Sequence, residues 1–300
     1  MIIPFTGVSP SGGGGGVGLF GGGYDGANSN VIDYVSIAST GNAADFGDLT
    51  VARAASSACS SSTRGLFGGG GFAVQNVIDY VTIASAGNAT DFGDLTVARG
   101  RLAACSSSTR GLFGGGDGYS NVIDYVTIAS TGNATDFGDL TLARSSFASF
   151  SSPTRGLFGG GTAGSGAENV IDYVTIASTG NATDFGDLSV ARYWNAGCSS
   201  STRGLFGGGL IPGAQNVIDY VTIASTGNAT DFGDLTVARY GLGACSSSTR
   251  GLFGGGWDGS YSNTIDYITI DSTGNATDFG DLTVARSYTT ACSDAHGGLD

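Results

Sequence analysis

Residues 111–144 read GLFGGGDGYSNVIDYVTIASTGNATDFGDLTLAR, and they decide the fold. Within 121–129, Val122, Val126 and Ile128 fall on one face of an extended chain. Ile123, Tyr125 and Ala129 fall on the other, because strand side chains alternate. Both faces are largely apolar. A sheet wetted on one side alternates cleanly, so this strand must lie between two packed neighbours. The segments 111–113 and 137–144 read as further strands from their β-branched and aromatic content, and 114–116 and 130–133 as turns. The small-residue stretch 103–107 supplies a fourth strand. We label these strands A (103–107), B (111–113), C (121–129) and D (137–144).

The same unit recurs along the whole chain. GLFGGG occurs six times, with its Phe at 20, 67, 113, 158, 206 and 253, and FGDL occurs in every copy. A repeated four-stranded unit buried on both faces predicts an all-β fold, a six-bladed β-propeller of antiparallel blades. An open solenoid is the rival; four strands per unit and abundant turns favour radial closure. The ends support closure too. The first GLF element has no strand A before it, only glycines 12–16, whereas the last copy is followed by a spare one at 287–293. The C-terminal strand is therefore expected to complete the first blade and hide two open sheet edges. On this reading, 1–16 is a tail and 17–300 one propeller. Blade one is 17–53 plus 287–293, and the others are 54–99, 100–144, 145–192, 193–239 and 240–286.

Composition excludes several functions. The formal net charge is −13, the 12 bases are all Arg, and His296 is the only histidine. A phosphate-backbone binder needs basic patches, so no nucleic-acid partner is expected. Scarce Lys, His and Glu leave few residues for general acid–base chemistry, and no enzyme is expected. No apolar run approaches the length of a membrane-spanning helix, so no membrane insertion is expected. The start, MIIPFTGVSPSGGGGG, lacks a basic region followed by an apolar core, and no signal peptide is expected.

The residues resemble the kelch repeat family. Kelch blades carry a multi-glycine stop after strand B, a Tyr in strand C, an aromatic in strand D and then an Arg. Here these are Gly114 to Gly116, Tyr125, Phe137 and Arg144, with counterparts in each copy. Phe stands where kelch repeats usually have Trp. The wording NVIDYVTIASTGNATDFGDL is also similar to kelch-like repeats in structural proteins of marine bacteriophages. This resemblance implies a virion or extracellular surface, reached after cytoplasmic synthesis, with other virion subunits as neighbours.

The copies differ strongly from one another in two segments. One is the B–C loop, at 24–30, 71–75, 117–120, 162–168, 210–215 and 257–262. The other follows the strand D arginine, at 54–57, 100–103, 145–148, 193–196, 240–243 and 287–290. With strands running up, down, up, down, both segments emerge on one propeller face, and the near-invariant A–B and C–D turns on the other. Loops carry binding while a scaffold holds them. Large side chains that can form a recognition surface are concentrated there. The candidate ligand-binding residues are Tyr24, Phe72, Arg101, Tyr119, Phe147, Tyr193, Trp194, Tyr240, Trp257, Tyr261 and Tyr288. Leu210 and Ile211 accompany them. The expected function is a non-catalytic binding or structural module for a cell-surface glycan or protein partner. A purely structural virion scaffold and a carbohydrate-active enzyme are the alternatives.

Other motifs are read against this repeat. Cys59, Cys105, Cys198, Cys245 and Cys292 follow the repeat, with Phe150 in the sixth place. They form neither a disulfide framework nor a zinc motif, and read as small buried or channel-lining residues. Phe147, Phe150 and Pro153 are expected to plug part of the channel. Paired carboxylates such as Asp136 and Asp139 could do glycosidase chemistry. Because the pair recurs in every copy, it is expected instead to serve Arg144-type and Arg110-type arginines or turns. The GGG runs lack the helix and Lys of a phosphate cradle. Asp25, Asp117 and Asp258 lack EF-hand spacing for Ca²⁺. No cofactor or metal is expected.

Overall fold

The structure, a computed structural model, describes residues 15–71 and 74–299. It is a six-bladed propeller of four-stranded antiparallel sheets. In blade three, strands Ala103–Ser106, Arg110–Gly114, Val122–Thr127 and Thr135–Asp139 pair in sequence order. In blade one the C-terminal strand Thr290–Ser293 pairs with Val17–Gly21, placing Leu19 opposite Cys292. That closes the ring, and each strand A touches the strand A of both neighbouring blades. The expected tail, 1–16, lies almost wholly outside the described residues.

Strand D departs from the expected 137–144. It starts earlier, because Thr135 pairs with Tyr125 across a bulge at Ile123/Asp124, and it ends at Asp139. Residues 140–144 leave the sheet because Thr141 and Arg144 are drawn to Asp172 of the next blade.

The core lies between blades. Val17, Leu19, Ile32 and Phe46 of blade one pack with Phe67, Val81 and Ile83 of blade two, and the pattern repeats around the ring. Each buried ring of this kind contributes roughly 1.5–3 kcal/mol. The glycine closing strand B makes room for it: a Cβ on Gly68 would lie 2.5 Å from the Phe113 ring. The thiols also face sideways. A Cβ on Gly111 would lie 2.6 Å from Cys59 Sγ, and Cys105, Cys198, Cys245 and Cys292 meet the matching glycine of the next blade. Burial pushes their pKa values up, so they stay protonated.

Between every pair of blades sits a buried ion pair: Arg53–Asp79, Arg99–Asp124, Arg144–Asp172, Arg192–Asp219, Arg239–Asp266 and, closing the circle, Arg286–Asp33. Asp219 is completely buried. It accepts from Arg192 Nη1 (2.9 Å), the Ser189 hydroxyl (2.6 Å) and the Ser189 amide (3.2 Å). Arg192 Nη2 donates to the Phe206 carbonyl. Burial lowers the guanidinium pKa and the facing aspartate opposes that shift. These aspartates belong to the IDY element. The expected partnership of the Asp136 and Asp139 family with arginines is therefore corrected. Asp136 is exposed, and the Asp139 amide donates to Asn181 Oδ1 of the next C–D turn. The Arg110 family lies over strand C tyrosines instead, with Arg110 4.7 Å from the Tyr125 centroid and donating to the Ile176 carbonyl.

Strand A closes the axis with hydroxyls. Ser60, Ser106, Ser151, Ser199, Ser246 and Ser293 each donate to the carbonyl of the preceding member, at 2.5–2.8 Å. Residues 294–299 cross this serine ring. His296 Nε2 meets the Ser60 carbonyl (3.1 Å) and Ser106 Oγ (3.3 Å), and the Gly297 amide donates to Ser199 O. The segment that crosses the axis is thus 294–299 rather than the fourth blade's strand A. Phe147 and Phe150 line the axial hollows but pack their rings on Phe158 and on Phe206 of the next blade (4.6 Å), and Pro153 is exposed.

The plug carries a pH dependence. The Gly298 amide donates to His296 Nδ1, so the ring proton sits on Nε2. Burial lowers the His296 pKa from 6.5 to about 4, opposed by the bond to Ser60. Charging the ring puts a proton on Nδ1 and breaks the Gly298 bond. A released tail binds that proton near 6.5 and a docked one near 4, so docking is fully favoured above 6.5 and weakens toward 4. Asp294 accepts from the Val17 amide, and burial raises its carboxyl pKa, so its own protonation favours docking as pH falls and offsets part of the His296 effect. Digestion with a carboxypeptidase should trim the tail faster at pH 4.5 than at pH 7.5 once each rate is corrected for the enzyme's own pH profile. His296→Asn should remove or reverse that difference; an unchanged difference contradicts the assignment.

Candidate functional site

The variable segments do share one rim. The D–A connection bridges to the next B–C loop at Tyr24/Ser287, Ala54/Gly71, Ser145/Thr162, Tyr193/Leu210 and Tyr240/Trp257. In blade three Gly100 and Asp117 bond instead. Two of the loops fold into short hairpins, Thr162–Ala163 with Gly166–Ala167 and Leu210–Ile211 with Gly213–Ala214.

The second residue after each strand D arginine builds the mouth of the channel. These are Ala55, Arg101, Ser146, Trp194, Gly241 and Tyr288, and all six have φ between 52° and 66°. Their backbones bond in a closed circle: Arg101 N to Ala55 O, Ser146 N to Arg101 O, Trp194 N to Ser146 O, Gly241 N to Trp194 O, Tyr288 N to Gly241 O and Ala55 N to Tyr288 O, at 2.6–3.0 Å. The left-handed conformation costs an L-residue roughly 1–2 kcal/mol. Glycine would avoid that cost, yet only one of the six is glycine. Around the circle small residues alternate with large ones. Arg101 lies 5.8 Å from the Trp194 ring and Trp194 sits edge-on to Tyr288 at 4.6 Å. The three large side chains thus reach one another over their small neighbours.

Arg101 is singular in another respect. The other eleven arginines hold repeated positions, six between blades and five over tyrosines. Arg101 alone belongs to the variable face, 3.3 Å from Asp117. Tyr288 has its pKa pushed up to about 12, first by burial and then by Tyr240, with Arg101 acting the other way.

Below the rim is a small well of about 90 Å³, lined by the starts of the six strands A and including Ser56, Asn195 and Thr289. Beside it, between the loops of blades six and one, lies an open groove of about 660 Å³. Tyr24, Tyr240, Trp257, Tyr261 and Tyr288 line it. Tyr261 stands edge-on to Trp257 (4.9 Å) and to Tyr24 (5.9 Å). The groove falls in the size range of small-molecule sites.

The structure therefore brings together Tyr24, Arg101, Trp194, Tyr240, Trp257, Tyr261 and Tyr288. Tyr193 is half-buried beside them. Tyr119 is exposed on the blade-three loop, apart from both hollows. Phe147 lines the well with Arg101, Trp194 and Tyr288, but as a buried ring packed on Phe158 under Arg144. Phe72 lies outside the described residues. Sequence reasoning missed the small rim members and the polar residues of the hollows. The position two after each arginine was visible in the copies, but its left-handed backbone was not. No group of ligands suited to a metal occurs among the described residues.

No protein-family model matches the chain, and no curated protein matches it. The propeller thus stands on the structure, and the likeness to kelch repeats stays a resemblance of wording.

Proposed function

We propose that the chain is a non-catalytic recognition module, carried on a virion or similar surface, that contacts a cell-surface glycan or protein through its variable face. One observation carries this reading. Five of six rim positions hold a side chain where the backbone favours glycine, and the large ones meet over the channel. Strain that persists where the surroundings fix it marks a site at which the side chain is wanted. The paired carboxylates support a non-catalytic role, because they recur in every copy on strand D. The virion setting rests on the resemblance of the repeats.

The test screens purified protein against glycan and surface-protein arrays, then remeasures each hit with two variants. Arg101→Gly/Trp194→Gly/Tyr288→Gly should weaken binding at least tenfold. Thr135→Ala/Thr183→Ala, beside the constant C–D turns, should not. The reverse pattern would assign recognition to the opposite face.

A further inference from the structure

We propose that the variable face takes a neutral saccharide end-on, its terminal residue in the axial well and the next ring on the aromatic groove. This deepens, and rests on, the recognition reading above. Buried polar side-chain atoms nearly always have partners, and each exception needs a reason. Among the described residues, guanidinium nitrogens of the interblade pairs make up one set of exceptions. The rest are Asn28 Oδ1, Ser56 Oγ, Asn195 Oδ1, Ser287 Oγ and Thr289 Oγ1. All five residues line the two hollows: Asn28 and Ser287 the groove, Ser56, Asn195 and Thr289 the well. Ser56, Asn195, Ser287 and Thr289 are more than nine-tenths buried. Tyr288 lines both hollows and stands between them.

The unpartnered set is three hydroxyls and two amide oxygens, with no charge. Amide oxygens accept only, and hydroxyls do both, so the matching ligand must present several O–H groups. The groove adds tyrosine and tryptophan rings, which need an apolar face laid against them. A sugar ring carries both features, a C–H face and a hydroxyl edge. Anionic ligands fit poorly, because Asp25 and Asp258 stand exposed on the flanking loops and Arg101 is already held by Asp117. An extended peptide would add to an unpaired strand edge. Here the mouth's backbone is consumed in its own circle of hydrogen bonds. The five atoms have almost no exposed surface, so their side chains must turn toward the hollows for ligand hydroxyls to bond them.

The two tryptophans of the chain report the two halves separately, Trp194 over the well and Trp257 in the groove. The experiment titrates Trp257→Phe and Trp194→Phe proteins with neutral mono- and trisaccharides of glucose, galactose, mannose and N-acetylglucosamine, following fluorescence. At least one trisaccharide should shift both emissions, and its monosaccharide only that of Trp194. Trp257→Ala should weaken the trisaccharide at least tenfold and the monosaccharide less than threefold. Asn195→Leu and Thr289→Val should weaken both, with unchanged denaturation midpoints as the check on folding. A cyclic oligosaccharide, having no end, should leave Trp194 silent. The proposal is overturned if no neutral saccharide shifts either emission, or if the cyclic sugar perturbs Trp194 as the linear one does. An acidic glycan or a protein that alone binds the rim would overturn it while leaving the recognition reading intact.

Discussion

Replacing Asp219 with alanine is expected to destabilise the propeller by about 3–5 kcal/mol, the usual cost of stranding a buried charge. The Arg192 guanidinium left behind is fully buried and already carries an unpartnered Nε. The Ser189 hydroxyl and amide lose their acceptor in the same step. Asp219→Asn keeps an acceptor and should cost clearly less. Asp231 pairs with Asp219 across strands C and D, yet it is exposed. Asp231→Ala should leave the urea midpoint essentially where it was. Equal losses from Asp219→Ala and Asp231→Ala would contradict the division of labour between the two aspartate families. Replacing the Arg192–Asp219 pair together by Met and Leu should recover much of the loss, because such pairs roughly break even against apolar packing.

Deleting residues 287–300 is expected to abolish cooperative folding at 25 °C. The deletion removes the strand paired with Val17–Gly21, the sixth member of the serine ring and the sixth member of the rim circle. Strand A of blades two and six each lose a neighbour, and the edge of Val17–Gly21 becomes an unpaired template for aggregation. Two further samples make the result specific. A chain ending at Ser293 lacks only the plug and should unfold cooperatively near the parent midpoint. The peptide 287–299 added to the truncated chain should restore a cooperative transition. A truncated chain with the parent's midpoint would mean that ring closure does not hold the fold.

Much of the architecture was legible because the repeats supply six readings of one unit. The apolar character of both faces of 121–129 required neighbours on either side, and the cores do lie between blades. The spare strand at 287–293 and the bare start foretold closure. What escaped was long-range. Thr141 and Arg144 lie 31 and 28 residues before Asp172, and period-two patterning cannot say which of two aspartates faces an arginine in the next blade. Strand D was drawn too long for the same reason, since residues 140–144 serve the neighbour. At the candidate site, the variable segments pointed to rings that the structure leaves half-buried at the rim and in the groove, while the burial of Phe147 depends on blade-four packing that local patterning does not show. The rim was hidden because φ near +55° at Ala55, Arg101, Ser146, Trp194 and Tyr288 leaves no mark when the residue is not glycine or asparagine.

Whether the rim side chains exist for recognition or for the fold is decided most directly by one unfolding free energy, that of Arg101→Gly/Trp194→Gly/Tyr288→Gly. Glycine relieves roughly 1–2 kcal/mol of left-handed strain at each of three positions; against that it loosens the unfolded chain by roughly 0.5–1 kcal/mol per position and removes two ring contacts of about 1 kcal/mol each. A stability within about 1–2 kcal/mol of the parent is the expected result. A loss of several kcal/mol would show that these residues hold the propeller together, and would contradict their assignment to a contact surface.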